Sequence, residues 1–353
     1  MNSYTSRIHF ELRTYKIVVT FLLFILASFS FGQDYKTIKA QKGDGIYSIL
    51  KQNGLSANEY LDQFIELNKT RLGKNNSLII GRTYKLPVIA EKKPKIQDSA
   101  PVTEVSQEKI VYEIFGDKYK EVSIQNRDLN KSVFYLMSGH GGPDPGAIGN
   151  LNGHLLCEDE YAYDVTLRLA RNLTERGATV YMIIRDPNDG IRDDQFLTPD
   201  RDEVCFPDKT IPLNQLARLR QGTDAVNKLY RQNRGKFQRL VVIHVDSRSQ
   251  KENIDVFFYH DKRSDAGKKL ANTLKVTIGE RYARHQPTRG YNGSVSERNL
   301  YVIKNSFPPA VFIELGNINH TRDQKRFILS DNRQAVANWL RDGLIQDFNK
   351  SIK

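Results

Sequence analysis

Short apolar runs that alternate with longer amphipathic stretches fill the chain beyond residue 109, and this alternation limits the folds open to it. The runs are rich in β-branched and aromatic side chains without polar alternation, which is typical of strands covered on both faces. We predict strands at Val133–Met137, Thr179–Ile184, Leu240–Ile243, Asp255–Tyr259, Tyr301–Ile303 and Ala310–Ile313, and helices at Tyr161–Arg176, Leu213–Arg231, Ala266–Gly279 and Arg333–Phe348. The pattern predicts an α/β domain with a mostly parallel sheet and helices on both faces.

Potential metal ligands follow three of the predicted strands. The first strand runs into His140, the third into His244 and the last into Glu314, while Glu158 lies just before the first helix. In open α/β sheets, functional groups gather at the carboxyl ends of strands. We therefore expect these four side chains to converge on one crevice. The glycines around His140 allow a sharp turn beside a bound group.

Two histidines and one glutamate with an open fourth position form a catalytic zinc set. Zinc lowers the pKa of a bound water to about 7, and a further carboxylate can accept its proton. The sequence contains no HExxH motif, so the ligands would be scattered along the chain. Position alone leaves several alternatives open: His140 satisfying a glycine turn, His244 capping a strand, His154 as a competing ligand, and Asp159 or Glu160 in place of Glu158.

Two features of the segment between the second strand and the second helix need an interpretation. The Asp-rich stretch 186–208 has acids that would suit calcium, but their spacing does not match an EF-hand loop. We therefore interpret it as a solvated loop. The stretch Pro187–Pro212 is also longer than a simple connection requires, and it is either a lid or regulatory element or a plain surface insertion. His260, His285 and His320 lie in polar stretches and are expected at the surface or in loops.

The N-terminus predicts export. Arg7, Arg13 and Lys16 precede an apolar run at 17–31, and small residues at Ser30 and Gly32 form a cleavage site before Gln33. We therefore predict a signal peptide at 1–32 and a secreted, periplasmic or cell-wall location, without stable membrane insertion after cleavage. An uncleaved anchor is the alternative. Outside the cytoplasm Cys157 and Cys205 would be able to form a disulfide.

Three segments follow the predicted signal peptide. Residues 35–87 are compact, residues 88–108 are rich in Lys, Glu, Pro, Ser and Gln and predict a flexible linker, and residues 109–353 hold most of the aromatic side chains. The formal net charge of +12 favours polyanionic partners, or else is only a soluble basic surface. No nucleic-acid-binding signature accompanies the charge, so we expect no nucleic-acid partner.

Four blocks in the third segment resemble a known family. His140–Ala147 (HGGPDPGA) resembles the HGGxDPGA motif of zinc-dependent N-acetylmuramoyl-L-alanine amidases of the Amidase_3 type. Glu158 resembles the glutamate that begins a helix in that family, and this helix ends at a glycine, here Gly177. The strand end at 242–247 (VIHVDS) and the stretch 309–316 (PAVFIELG) resemble two further family motifs. The blocks occur in the family's order, which makes the resemblance specific.

The resemblance implies one zinc ion per chain, held by His140, Glu158 and His244, with Glu314 as the catalytic acid and base. It implies hydrolysis of the amide bond between the lactyl group of N-acetylmuramic acid and the L-alanine of the peptidoglycan stem peptide. The chain departs from the family at Asp246, where asparagine is usual, and at Asn317, where phenylalanine is usual. With Asp144, these residues are expected around the ligands or in the groove wall.

The first segment resembles a LysM domain. The stretch 35–44 (YKTIKAQKGD) is close to the opening pattern of that domain, and the stretch 80–87 (IGRTYKLP) matches its closing strand. The resemblance implies a small βααβ unit that binds glycans containing N-acetylglucosamine, with groove residues Gly43, Asp44, Ile46, Ile80 and Gly81. A module that serves stability alone is the alternative. Gly45, where threonine is usual, departs from the pattern.

Together these features predict a peptidoglycan hydrolase, with a possible activator that acts on the segment 187–212. Two alternatives stay open at this point. The first is a non-catalytic wall-binding protein with a degenerate amidase domain, which the departures at Asp246 and Asn317 motivate. The second is a zinc peptidase that acts on the stem peptide, because the same ligands permit cleavage of another bond.

Overall fold

The computed structural model describes residues 35–41, 44–55, 57–73, 76–88, 109–286 and 288–352. The chain separates into two compact units, divided near residue 100. The predicted signal peptide and nearly all of the predicted linker lie outside the described residues. Among the residues described, no helix combines the length and apolar character needed to cross a membrane.

The described residues of the N-terminal unit form two short strands and two helices. In chain order these are β1 (Thr37–Lys39), α1 (Ile46–Gln52), α2 (Ala57–Leu67) and β2 (Thr83–Lys85). The two strands pair antiparallel, with Ile38 opposite Tyr84. Their small core includes Ile49, Phe64 and Tyr84, all of which are fully buried. The buried amide of Asn68 accepts from and donates to the backbone of Lys85, and so fastens the end of α2 to β2.

The C-terminal unit contains the remaining elements. The strands are β3 (Lys109–Val111), β4 (Glu121–Ser123), β5 (Ser132–Ser138), β6 (Ile148–Leu151), β7 (His154–Cys157), β8 (Thr179–Met182), β9 (Ile184–Arg185), β10 (Val204–Cys205), β11 (Lys209–Thr210), β12 (Phe237–Asp246), β13 (Phe257–His260), β14 (Ser294–Glu297) and β15 (Ala310–Asn317). The helices are α3 (Glu158–Thr174), α4 (Gln215–Gln232), α5 (Asp265–His285), α6 (Tyr301–Asn305), α7 (Thr321–Ile328) and α8 (Ser330–Ser351).

Six strands form the central sheet, in the order β14-β13-β15-β12-β5-β8. All neighbours pair parallel except β13 and β15, which pair antiparallel. Alternate residues of one strand enter different cores, as the period of two requires. Val241 and Ile243 of β12 pack in one core with residues of α3, α5 and α8, whereas Val242 packs in the other with residues of α4 and α6. The predicted α/β sheet with helices on both faces is therefore confirmed.

Two predicted strands differ from the structure. The run Tyr301–Ile303 is part of the helix α6, because three apolar residues are too few to distinguish a strand from a helix turn. The run Thr179–Ile184 is divided: β8 joins the main sheet, while β9 pairs with β10 in a separate three-stranded sheet. The β6–β7 hairpin, β14 and α7 were not predicted from the sequence.

The sequence left open whether Cys157 and Cys205 pair, and both are buried and free. Two other expectations are wrong in the C-terminal unit. His260 is 2% exposed, because it ends a central strand. The acidic stretch 186–208 is not simply solvated, since Asp186 and Glu203 are each 5% exposed. These outcomes depend on long-range packing, which the local polarity of a segment does not report.

Candidate metal and catalytic site

The loop after β5 presents His140 beside the end of β12. The two strands are parallel neighbours, and the amide of Gly139 donates to the carbonyl of Ile243 at 2.7 Å. A Cβ on Gly139 would lie 2.2 Å from the His244 ring, so only glycine fits there. His140 itself has a φ of 63°, a conformation that few non-glycine residues adopt. The backbone therefore turns abruptly and places the two imidazoles together.

Glu158 begins α3 and connects the two histidines. Its Oε1 lies 2.8 Å from Nδ1 of His244, and its Oε2 lies 3.3 Å from Nε2 of His140. The backbone amides of Val245 and Ala147 also donate to these oxygens, at 3.0 and 2.8 Å. Glu158 is 4% exposed, and its carboxylate is held in one place by partners from the loop 140–147 and from the end of β12.

His244 is fixed by ring contacts. Its imidazole stacks on the Phe312 ring with centroids 4.2 Å apart, and it meets the His140 ring edge-on at 5.0 Å. One donor atom from each of His140, Glu158 and His244 lies within 4.8 Å of the other two. We call these three residues the histidine group.

The electrostatics of the histidine group favour an ionised Glu158. Burial alone would lower the pKa of His140, but the hydrogen bond and charge of Glu158, with a smaller contribution from Asp144, raise that pKa to about 9. Burial likewise favours a raised pKa at Glu158, yet hydrogen bonds with the two histidines lower it. The pKa of His244 is lowered, chiefly by burial. The Glu158 carboxylate therefore stays ionised beside the two imidazoles, which is the form that binds a metal.

Glu314 lies next to His244 across the sheet, because β12 and β15 pair these two residues directly. Its Oε2 is buried and has no hydrogen-bond partner among the described residues. Burial, followed by the charges of Glu158 and Asp246, raises the pKa of Glu314 well above its usual value. A carboxyl group with a raised pKa and a free oxygen is suited to accept and return a proton.

A chain of charged groups holds the outer nitrogen of His140. Asp144 Oδ2 lies 3.0 Å from His140 Nδ1 and also accepts a hydrogen bond from Arg218 of α4. Asp144 Oδ1 accepts from the amide of Gly146 at 3.2 Å. This arrangement orients the ring and leaves Nε2 directed at Glu158. Arg218 was not anticipated, because no motif connects it to residue 144.

Asp246 and Asn317 organise the loop that follows β12. Asp246 Oδ2 accepts from Arg248 at 2.6 Å. Asn317 is fully buried, and its side chain bonds to the backbone of Arg248, Ser249 and Glu252. Its polar side-chain atoms are therefore used within the fold. The two residues that depart from the family pattern therefore stabilise the loop beside the histidine group.

The competing candidates lie elsewhere. His154 stacks on Phe196 with ring centroids 3.9 Å apart and is not part of the histidine group. His320 precedes α7, and its Nδ1 is buried without a partner in the described part of the chain. Asp159 and Glu160 are buried beside Glu158 in sequence but form a different group with Glu203. The alternatives left open by the sequence are thus separated in space.

A cavity of about 280 Å³ opens beside His140 and His244. Asp144 and Arg218 contribute to its polar side. Its other wall is apolar, formed by Ile184, Ile211, Leu219, Leu300, Val302 and Phe312. The site therefore offers room for a ligand with both polar and apolar parts.

The histidine group fits zinc by its donor set. Two imidazoles and one carboxylate, with one donor atom of each within 4.8 Å of the other two, form a donor set that zinc accepts. The histidine–carboxylate contact at Asp144 is the outer support that such ligands usually have. The glycines at 139 and 146 add to the fit, because a Cβ at either would occupy space now taken by the ligand side chains.

Comparisons with known proteins agree with this geometry. Residues 135–346 match the sequence profile of the N-acetylmuramoyl-L-alanine amidase family Amidase_3, and the chain belongs to that family. A curated relative, the probable cell wall amidase LytH of Staphylococcus aureus, is 25% identical over 234 residues. The match covers 66% of this chain and 62% of LytH, so the chain spans less than two thirds of that relative.

Solved structures with a similar fold include two amidases. The CwlD amidase of Clostridioides difficile, solved in complex with the GerS lipoprotein, is 18% identical and has a TM-score of 0.47. The amidase AmiC2 of Nostoc punctiforme is 19% identical and has a TM-score of 0.44. Each match covers 62% of this chain and 98% of the other chain.

Proposed function

We propose that the chain is a zinc-dependent peptidoglycan hydrolase that cleaves the amide bond between the lactyl group of N-acetylmuramic acid and L-alanine of the stem peptide. The observation that carries the proposal is the pairing of the histidine group with Glu314, whose buried Oε2 has no partner among the described residues. Family membership supports the same reaction.

In this proposal His140, Glu158 and His244 hold the metal. A bound zinc ion would supply Lewis acidity and would make a hydrolytic water more acidic. Asp144 and Arg218 keep the His140 ring in its orientation, and the Gly139 turn keeps both imidazoles in contact. The protein thus provides a preformed donor set rather than one assembled on binding.

Glu314 moves the proton. Its Oε2 takes a proton from the attacking water, whose oxygen bonds to the amide carbonyl carbon. The same carboxyl group then gives that proton to the nitrogen of L-alanine as the carbon–nitrogen bond breaks. The raised pKa of Glu314 suits both halves of this exchange, because a strongly acidic carboxyl would not retain the proton long enough to return it.

The test is mass spectrometry of the soluble products from purified peptidoglycan. We expect stem peptides with a free L-alanine amino terminus, and we expect a zinc chelator to stop their release. Glu314→Gln should reduce the rate by about 10²–10⁴-fold, the usual contribution of a general acid and base. Glu297→Gln, an exposed glutamate of β14, is the matched control and should keep full activity.

Three results would contradict the proposal in whole or in part. Products cut within the stem peptide would make the chain a peptidase of another specificity. Binding to the wall without release of any product by the zinc-loaded protein would make it a non-catalytic binder. Full activity of Glu314→Gln would remove this residue from the mechanism.

We also propose that residues 35–87 form a LysM-type glycan-binding domain. The strand–helix–helix–strand order and the antiparallel pairing of β1 with β2 support it. The turn at 79–82 meets the end of β1, since the amide of Gly81 donates to the carbonyl of Ala40 at 2.8 Å. Asp44 lies at the same end, where its carboxylate accepts from the amide of Gln41 at 2.7 Å.

The proposed glycan groove comprises Asp44, Ile46, Ile80 and Gly81, while Gly43 lies outside the described residues. Ile80 is 67% exposed, which suits contact with the apolar face of a sugar. In the full chain, Ile80→Ser should weaken binding to N-acetylglucosamine oligomers at least tenfold. Val276→Ser, at an exposed apolar residue of α5, is the control, and equal binding by both variants would contradict the assignment.

Peptidoglycan lies outside the cytoplasm, so the proposal includes export of the chain. It also makes the wall the principal partner. An activating partner would act on the segment 187–212, since Ile211 lines the cavity beside His140 and so gives that segment direct access to the site.

A further inference from the structure

A second group of acidic side chains lies beside the histidine group but contains no histidine. Carboxylate oxygens of Asp159, Glu160 and Glu203 lie within 4.8 Å of one another, and so do those of Asp186, Asp200 and Glu203. We call these five residues the acidic cluster. Four of them are 2–5% exposed, and Asp200 is half-buried. The cluster joins the start of α3 to the long segment that precedes α4.

The protein compensates only part of this charge. Glu160 pairs with Arg192 at 2.8 Å and accepts from the amide of Asp200 at 3.1 Å. The ion pairs that the described residues form with the cluster all come from Arg192, which also pairs with Asp189. Five carboxylates therefore meet one guanidinium. Buried carboxylates without a counter-charge are costly, so the cluster requires a further cation or bound protons.

One oxygen of the cluster is left without any partner. Asp159 is 2% exposed, and its Oδ1 accepts from the amide of Glu160 at 2.9 Å. Its Oδ2 is buried and has no hydrogen-bond partner in the described part of the chain. Buried polar atoms are almost always paired in native proteins. An unpaired oxygen on a carboxylate that lies within 4.8 Å of two others indicates a missing electropositive ligand.

The donor chemistry selects the kind of cation. All five side chains offer carboxylate oxygens, and none offers nitrogen or sulfur. Oxygen-only sets suit hard cations, whereas zinc sites usually include nitrogen or sulfur. Calcium accepts six to eight oxygens at 2.3–2.6 Å in flexible geometry, so oxygens that lie within 4.8 Å of one another can share one ion.

We propose that the acidic cluster is a calcium-binding site, with Asp159, Glu160 and Glu203 as its central ligands and Asp186 and Asp200 alongside. The site is distinct from the histidine group and does not depend on the proposed hydrolysis. The proposal gives the acidic stretch 186–208 a structural role, although the spacing of its acids differs from that of an EF-hand loop. Calcium would fasten the long segment to the first turn of α3.

The site also reaches the loop that carries His140. Glu203 Oε2 accepts from the amide of Gly142 at 2.5 Å, and a Cβ on Gly142 would meet Ile211 at 3.1 Å. Both Glu203 and Ile211 belong to the segment that the cation would fasten. Occupancy of the acidic cluster would therefore hold the His140 loop from its outer side.

The experiment is a calorimetric titration of the full, zinc-saturated chain with calcium chloride. Saturating the histidine group with zinc first prevents calcium from being counted there. We expect saturable binding of about one calcium per chain, with a Kd of about 10⁻³ M or tighter, as in extracellular calcium modules. Asp159→Asn and Glu203→Gln should each weaken binding at least tenfold.

Asp194→Asn is the matched control, because Asp194 is an exposed acid of the same segment outside the cluster. It should bind calcium as the unchanged chain does. No saturable binding by the unchanged chain up to about ten times that Kd would overturn the proposal and leave shared protons as the compensation. Equal binding by the unchanged chain and both cluster variants would overturn it too. Asp159→Asn keeps the acceptor for the Glu160 amide, so it tests the site even if Glu203→Gln does not fold.

Discussion

Two groups of candidate metal ligands begin at consecutive residues of α3 and differ in their partners. Glu158 lies between two imidazoles and two backbone amides. Asp159 and Glu160 instead face Glu203, which arrives from the long segment. All three acids occupy the first turn of one helix, where the helix dipole favours negative charge equally. Their different chemistry therefore comes from what the rest of the fold brings to them.

The difference appears in their proton affinities. Hydrogen bonds with the histidines outweigh burial and lower the pKa of Glu158. Burial, with the neighbouring charge of Glu160, raises the pKa of Asp159 to about 7. Burial also raises the pKa of Glu203 to about 8. The pKa of a buried acid therefore depends on the positive groups near it in space, and acids that are adjacent in sequence can have very different pKa values.

The largest expected effect is the loss of zinc from the histidine group when one of its histidines is replaced. His244→Ala removes one of the three proposed zinc donors, so zinc affinity and the rate of hydrolysis should each fall by more than about 100-fold, which exceeds the effect of changing a residue that only supports a ligand. Metal analysis after dialysis and product release measure this. His154→Ala, which removes a histidine outside the group, should keep one zinc. If His244→Ala retained its full zinc content, His244 would not be a zinc ligand.

The second effect tests the shape of the histidine group. A Cβ on Gly146, where φ is 70°, would lie 2.7 Å from both Glu158 Oε2 and a His140 ring carbon. Gly146→Ala should therefore weaken zinc binding at least tenfold. Gly153→Ala carries similar backbone strain at a φ of 85° but meets nothing within 4 Å. Competition with a zinc indicator measures both, and equal affinities would show that backbone strain alone decides.

A smaller effect is expected from the outer support of His140. Asp144→Asn removes the charge beside Nδ1 but keeps an acceptor oxygen, so zinc affinity should fall by about tenfold, at the low end for such partners. Asp128→Asn, at a surface ion pair with Arg176, is the control and should leave zinc affinity unchanged. An unchanged affinity in Asp144→Asn would remove Asp144 from the support of the site.

The smallest expected effect is on the stability contributed by Asp193, an acid of the long segment that is paired with protein side chains. Burial would raise the pKa of Asp193, but hydrogen bonds from Lys118 and Tyr119 lower it to about 2. Because this folded pKa is below the usual 3.8, its stabilisation is complete above pH 4 and is lost as the pH falls towards 2.

Asp193→Asn should therefore cost about 1 kcal/mol or less at pH 7, since the side chain is partly exposed. The cost should shrink as the pH falls towards 3. Urea unfolding between pH 3 and pH 7 measures it, with Asp194→Asn as the control. A cost that is constant with pH would show that the Asp193 charge contributes nothing.

Much of the fold could be predicted because a strand that is buried on both faces has a continuous run of apolar residues in the sequence. The strands β5, β12 and β15 are buried nearly throughout, and each was predicted from its apolar run. The α6 helix was missed because Val302 and Ile303 could be buried in a core either as part of a strand or as part of a helix. The β6–β7 hairpin was missed because its exposed Ile148 and Leu155 break the expected alternation.

The candidate site was open to prediction as a set of residues and not as a set of contacts. Strand ends and motifs pointed to His140, Glu158, His244 and Glu314. Nothing local indicated Arg218, which reaches Asp144 from α4, or Glu203, which bonds to Gly142 from the long segment. Both are charged residues in polar surroundings, a pattern shared with many exposed side chains.

The order of side chains by itself determined the α/β layering and the positions where ligands emerge, because apolar periodicity is a property of neighbouring residues. Tertiary structure alone decided which acid became a partner of histidine and which joined the acidic cluster. Glu158 and His244 are 86 residues apart, and their contact exists only after β12 packs beside β5 and α3. Electrostatic character acts over a few ångströms in space, so it is set by packing and not by position along the chain.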